Sequence, residues 1–194
     1  KRQDLLLKAV RYSKYCDRIQ LVFAVKGPLY RTYRWMGRRL PHTPVFGYYS
    51  RADLQHLLAQ ADLYVHASDM ESEAIGCIEA FAMGLVPVIS DSALSATRQF
   101  ALCDQSLFQA GSARSLAKRI DYWIEHEDEK RKMERVYAQY ANAYLLENCV
   151  AAFEQMLFRE QMEWNQRLAN QQITTTIVCQ KNKKELSPSE LQYY

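Results

Sequence analysis

Two apolar runs, Leu63-Tyr64-Val65 and residues 86–89, bracket the stretch that most constrains the fold. Between them lie a polar loop, His66-Ala67-Ser68-Asp69-Met70-Glu71-Ser72-Glu73, and a helical pattern that ends at Gly84, a helix-stop residue. Strand, loop, helix, glycine and strand in that order make one unit of a parallel sheet. At its carboxyl edge such a unit forms an anion site, because the first N–H groups of the helix have no partner inside it. The N–H groups of Ala74, Ile75 and Gly76 take that place here. Two carboxylates flank it, Glu71 in the loop and Glu79 about one turn into the helix. A carboxylate does not bind phosphate, but it accepts hydrogen bonds from sugar hydroxyls. The arrangement predicts a nucleotide-sugar site with the diphosphate on the helix N-terminus.

The rest of the chain extends the same pattern. A helix is expected over about residues 3–15, a buried strand over 19–25, a basic aromatic helix over 29–39 and a short strand over 44–48. Ser50 is the expected N-cap of a helix running to about residue 60, with Asp53 at its third position. Strands at 62–66, 86–90 and 106–109 alternate with helices at 74–83, 93–101 and 113–125, the last capped by Ser112. This alternation predicts an α/β fold with a doubly wound parallel sheet, Rossmann-like, followed by C-terminal helices. Residues 127–143 and 147–170 read as charged helices, and Val150, Phe153, Leu157, Trp164 and Leu168 form one apolar stripe. The expected domain is 1–172, and 173–194 reads as a polar, poorly ordered tail. The chain opens directly in a helical pattern, so the first strand of the sheet and whatever precedes it are expected to be missing.

Bulk properties set limits. A chain of 194 residues with 48% apolar content supports one full core. No run approaches the roughly 18 apolar residues of a membrane span. Five widely spaced cysteines without a Cys-x-x-Cys pair point to a reducing cytoplasm. Four histidines without ligand spacing imply no metal, and a net charge of +3 does not argue for nucleic acid.

The run Glu71, seven residues, Glu79, then Ala80-Phe81-Ala82-Met83-Gly84-Leu85-Val86-Pro87-Val88-Ile89-Ser90 resembles the donor-site signature of retaining GT-B glycosyltransferases of family 4. Val45-Phe46-Gly47-Tyr48, Asp53-Leu54 and Ala61-Asp62-Leu63-Tyr64-Val65-His66-Ala67-Ser68 follow the usual order of that family. The resemblance covers about residues 1–160, the C-terminal half of such an enzyme. Glu71-Ser72-Glu73-Ala74 and the run 91–100 look most like bacterial lipid α-glucosyltransferases, those acting on cholesterol among them, and related capsular-polysaccharide proteins.

The resemblance implies roles residue by residue. Glu79 would accept hydrogen bonds from the ribose hydroxyls, and Glu71 would be the sugar-facing carboxylate. Lys1 aligns with a lysine that contacts the donor diphosphate, where a fixed cation stabilises charge developing in the transition state. The family's arginine a few residues earlier has no counterpart here. Gly47 and Tyr48, with Phe46, match the segment that reads the nucleotide base, with uracil expected. Glu73 departs from the family pattern, which often has glycine nearby; a solvated Glu73 is favoured over a sugar contact.

The implied activity is transfer of a hexose, glucose from UDP-glucose, to a lipid or glycan hydroxyl in glycolipid or capsule synthesis. No cofactor is needed beyond that donor, and the missing N-terminal domain would supply most of the acceptor site, so the fragment alone should be inactive. The alternatives are a nucleotide-sugar epimerase on the same fold and a non-catalytic nucleotide-sugar-binding module. For Glu79 the alternative is a residue that only complements the helix dipole. Residues 18–52 contain no acid but hold Arg18, Lys26, Arg31, Arg34, Arg38, Arg39 and Arg51, with Tyr30, Tyr33, Trp35 and Met36 interleaved. That segment is expected either to rest on an anionic membrane, giving a cytoplasmic enzyme peripheral to the inner face, or to be an ordinary outer helix with its aromatics in the core.

Overall fold

The apolar runs that pattern as strands pair in parallel, as a sequence alternating strand and helix requires. The structure, a computed structural model, describes residues 1–24 and 27–185, with side chains placed as far as Asn170. Its elements are α1 (Gln3–Tyr12), β1 (Val22–Phe23), α2 (Tyr30–Gly37), β2 (Val45–Phe46), α3 (Arg51–Ala59) and β3 (Tyr64–His66). They continue with α4 (Ile75–Ala82), β4 (Pro87–Asp91), β5 (Leu107–Gln109), α5 (Ala113–Glu125), α6 (Glu127–Tyr140) and α7 (Leu146–Glu185). The fold is the expected α/β class with parallel strands. Hydrogen bonding divides it into two ladders, β1 with β2 and β3-β4-β5.

Strand β4 is the centre of the larger ladder, pairing Val88 with Val65 on one side and Ile89 with Leu107 on the other. Pro87 is tolerated in this central strand because it is the first residue. The core around β4 includes the fully buried Trp123, Tyr137, Phe81 and Phe108. Phe81 lies among Tyr137, Phe100 and Tyr140 at centroid distances of 5.2, 5.4 and 5.9 Å. The smaller ladder has its own cluster, Leu7, Val10, Leu21, Phe23 and Leu40, and Leu6 and Ile19 pack against both clusters.

Several boundaries differ from expectation. Helix α1 stops at Tyr12 because Ser13 turns to extended backbone and donates its hydroxyl to buried Asp121, at 2.5 Å. Strand β1 is two residues long, not seven; Val22 is exposed and only Phe23 points into the core. Lys26 and Val25 lie outside the described residues. The helix expected over 93–101 is a five-residue 3-10 turn, Ala96–Phe100, capped by Ser95. The caps Ser50 and Ser112 are as expected, each accepting from the N–H three residues on.

The chain forms two compact units, the first ending at Tyr144 and the second beginning at Leu145. Helix α7 runs to Glu185, through the first part of the stretch read as tail. The remaining positions, 186–194, lie outside the described residues. Val150, Phe153, Leu157, Trp164 and Leu168 are all exposed on α7.

Gly84 ends α4 in a Schellman motif. Its N–H donates to Phe81 O at 2.8 Å and that of Leu85 to Ala80 O at 3.0 Å, with Gly84 at φ +76°. A Cβ at Gly84 would meet Glu134 O at 3.6 Å, an ordinary contact. The cost of Gly84→Ala is therefore conformational, and it should lower stability by about 1–2 kcal/mol. A urea unfolding curve should show the midpoint fall with an unchanged slope; an unchanged midpoint would mean that the left-handed turn is not required.

Candidate functional site

The carboxyl ends of β3 and β4 are adjacent because the strands pair in register, His66 opposite Ile89. The loops that leave them meet. Glu71 forms an isolated parallel bridge with Ser95, its N–H donating to Leu94 O at 3.4 Å and its carbonyl accepting from Ala96 N–H at 2.9 Å. Ser92 Oγ donates to Asp69 O at 2.6 Å, and Ser68 Oγ to Met70 O at 2.8 Å. The backbone that carries Glu71 is thus held at both loops before any side-chain charge is considered.

The Glu71 carboxylate pairs with the Lys1 ammonium. Its side chain is 14% exposed and that of Lys1 is 62% exposed. The Lys1 contact holds the Glu71 carboxyl below the usual carboxylate range, against the opposing effect of burial. Next to it, Arg2 donates to Asp69 Oδ2 at 2.6 Å and to Asp4 Oδ1 at 3.3 Å. Two ion pairs therefore seat the first two residues on the 67–71 loop. Lys1 and Glu71, assigned to the same reaction from resemblance, are brought into contact.

Behind Glu71 lies a group that the sequence reading passed over. His66 is buried, with Nε2 3.7 Å from Glu71 Oε2 and Nδ1 3.4 Å from the Tyr64 hydroxyl. Burial lowers the His66 pKa, with Glu71 opposing that shift. Burial also pushes the Tyr64 hydroxyl well up and the Cys77 thiol up to about 12, so both are neutral. A lone histidine without ligand spacing gives no metal signal. The available cue was that Tyr64 and His66, two residues apart on a strand, share one face.

Helix α4 begins at Ile75, with Ala74 as N-cap in the left-handed region at φ 55°. No side chain caps this end and its first turn has no acid. The N–H groups of Ala74, Ile75 and Gly76 have no acceptor among the described residues, and Ile75 is 61% exposed. Gly76 faces Tyr64: a Cβ there would sit 3.0 Å from the hydroxyl. Glu79 is exposed on the fifth residue of α4, and its charge, like that of Glu71, reaches the Tyr64 hydroxyl. Glu73 is exposed.

Gly47 and Tyr48 follow β2 on the other ladder. Gly47 N–H donates to Phe23 O at 3.1 Å, and an added Cβ would lie 2.8 Å from the far end of the Tyr49 ring, which would have to shift. Tyr48 is 72% exposed. Among the described residues, no group of three or more His, Cys, Asp or Glu is arranged to hold a metal ion.

Residues 1–142 match the family described as glycosyl transferases group 1. No match is found among curated proteins. Among solved structures, the chain is similar to the catalytic domain of cholesterol-alpha-glucosyltransferase from Helicobacter pylori, at 43% identity and a TM-score of 0.72, over 75% of this chain and 91% of that one. Parallel strands, a loop carboxylate at the sheet edge and an open helix N-terminus thus coincide with a match over most of the chain: it belongs to the glycosyl transferases group 1 family.

Proposed function

We propose that the chain is the donor-binding half of a retaining GT-B enzyme that moves glucose from UDP-glucose to a lipid hydroxyl. The observation that carries this reading is the meeting of Glu71, Lys1 and the uncapped N-terminus of α4 at one sheet edge. The diphosphate would lie on the N–H groups of Ala74, Ile75 and Gly76, where the helix dipole favours an anion. Lys1 would leave Glu71 for the diphosphate and stabilise its leaving-group charge. Glu71 would then face the hexosyl ring, and Glu79 the ribose. Gly47 and Tyr48 would read the base by backbone groups and a ring face. No metal or cofactor is assigned a step. The lipid acceptor is argued from the similar protein, whose name gives cholesterol as its substrate; the glycan acceptor and capsule role are the wider form of the same proposal.

The split sheet supports the assignment to half of a larger fold. In a doubly wound order of 3-2-1-4-5-6, the first strand is central. The ladders β2-β1 and β3-β4-β5 are the two sides of such a sheet, and a strand leading into α1 would join them.

Binding of UDP is the first test. Titration calorimetry should show the chain binding UDP and Glu79→Ala binding it roughly tenfold more weakly, the loss of about one charged hydrogen bond. Equal affinities would remove Glu79 from the site. In the full-length enzyme, Glu71→Gln should lower kcat by roughly 10²-fold or more with little change in donor KM, because the lost interaction belongs to the transition state. A loss confined to KM would mean that Glu71 binds substrate and transition state equally.

A specific observation also favours contact with an anionic membrane. Tyr30, Arg31, Arg34, Trp35 and Arg38 line an open cleft of about 330 Å³ on α2, and it shares no residue with the Glu71 site. Trp35 is 56% exposed, with the Arg39 guanidinium 4.9 Å from its ring centroid. Tyr33 and Met36, by contrast, pack inward on the smaller core. The outer face thus keeps its arginines and one large aromatic, a pattern that suits headgroup phosphates and the interfacial layer. No helix among the described residues is long and apolar enough to cross a membrane. Vesicles containing phosphatidylglycerol should co-sediment the protein at low salt and release it at high salt. Arg34→Glu/Arg38→Glu should abolish sedimentation; unchanged sedimentation would assign α2 to ordinary outer surface.

A further inference from the structure

We propose that His66 is a positioning residue whose Nε2–H holds the Glu71 carboxylate in place when Lys1 moves to the donor, with the Tyr64 hydroxyl fixing the imidazole tautomer. This rests on the reading of Glu71 as the sugar-facing carboxylate.

The argument starts from an unmatched atom. His66 Nε2 is buried and has no hydrogen-bond partner among the described residues. An unpaired polar atom in a dry site is costly, so its surroundings should show what it awaits. It points toward Glu71 Oε2, 3.7 Å away, and that oxygen is engaged by Lys1. Lys1 is mostly exposed while Glu71 is mostly covered. If the ammonium leaves, it remains solvated, whereas the carboxylate has little water to turn to. A shift of less than about 1 Å brings Oε2 within hydrogen-bond distance of Nε2.

The tautomer follows from the neighbours. A carboxylate only accepts, so a bare Nε2 lone pair facing it would be repelled. The proton therefore belongs on Nε2, leaving Nδ1 to accept from the Tyr64 hydroxyl at 3.4 Å. Tyr64 keeps its proton, and the Cys77 thiol beside it stays protonated as well. The hydrogen-bond run is then Tyr64 to His66 to Glu71, two neutral donors ending on the carboxylate as acceptor. The other charges acting here are the Lys1 side chain on His66 and Glu79 on Tyr64. Gly76 belongs to the same device, since a side chain there would press on the Tyr64 hydroxyl.

The test combines structure and kinetics. Two-bond proton–nitrogen NMR correlation of the histidine rings, in this 194-residue chain, should show His66 neutral and protonated on Nε2, and Tyr64→Phe should mix the two tautomers. An Nδ1–H tautomer in the wild type overturns the proposal without reference to any variant's folding. In the full-length enzyme, His66→Leu should lower kcat roughly 10- to 100-fold with donor KM changed little. His66→Gln, whose amide N–H replaces Nε2–H, should recover most of that loss. Equal impairment of both variants would assign His66 a packing role and overturn the proposal. Glu71→Gln is measured alongside. If it is impaired while His66→Leu is not, the histidine proposal alone fails; if neither is impaired, the reading of Glu71 fails and takes this proposal with it.

Discussion

The parallel pairing of β3 with β4 is the constraint on which the site depends. Strand β4 is buried from Pro87 through Ser90 and is hydrogen-bonded on both sides. Burying Val88 and Ile89 is worth about 1.5–3 kcal/mol each. A partly exposed pair such as Lys1 with Glu71 is worth about 0–1 kcal/mol. The site is therefore held by the ladder and the core beneath it, not by its ion pairs. Those pairs are free to change partners without loosening the frame, which suits a lysine asked to serve a ligand.

The Glu71–Ser95 bridge shows how the frame reaches the chemistry. It continues the β3-to-β4 neighbourhood past the strand ends, so the backbone of Glu71 inherits the rigidity of the sheet. Function-bearing loops positioned by a rigid scaffold are the general pattern in α/β proteins. Here the second loop, 92–95, contributes no charged group to Glu71; its serines and backbone groups only fix the first. Resemblance in the 91–100 run thus has a physical counterpart in support of the loop carboxylate.

What the sequence made legible were the features with local causes. Gly84 as a helix stop and Ser50 and Ser112 as caps each follow from contacts within a few residues, and each is present. Strand lengths were not legible, because apolar content in residues 19–25 does not say how many residues find a hydrogen-bonding neighbour. The extent of α7 past 172 was not legible for a related reason: a polar run is not itself a helix end. The Glu71–Ser95 bridge spans 24 residues, and nothing local marks it. His66 was missed because its significance lies in Glu71 and Tyr64 together, one reached through the loop and the other two residues back on the strand.

Ala74 draws these strands of argument together. A non-glycine residue at φ 55° costs about 1–2 kcal/mol. The residue is buried within the larger core, 9% exposed, which offsets part of that cost. What the turn accomplishes is to bring the chain into α4 with no side chain over its N-terminus. A capping Ser or Asp at 74 would satisfy the free N–H groups internally, and an acid in the first turn would repel an anion there. The strained alanine keeps the first-turn donors open, and strain of this kind is retained where the surrounding structure over-determines it. An open helix end, with a pinned carboxylate on one side and a covered face on the other, is what a site for a negatively charged sugar donor requires.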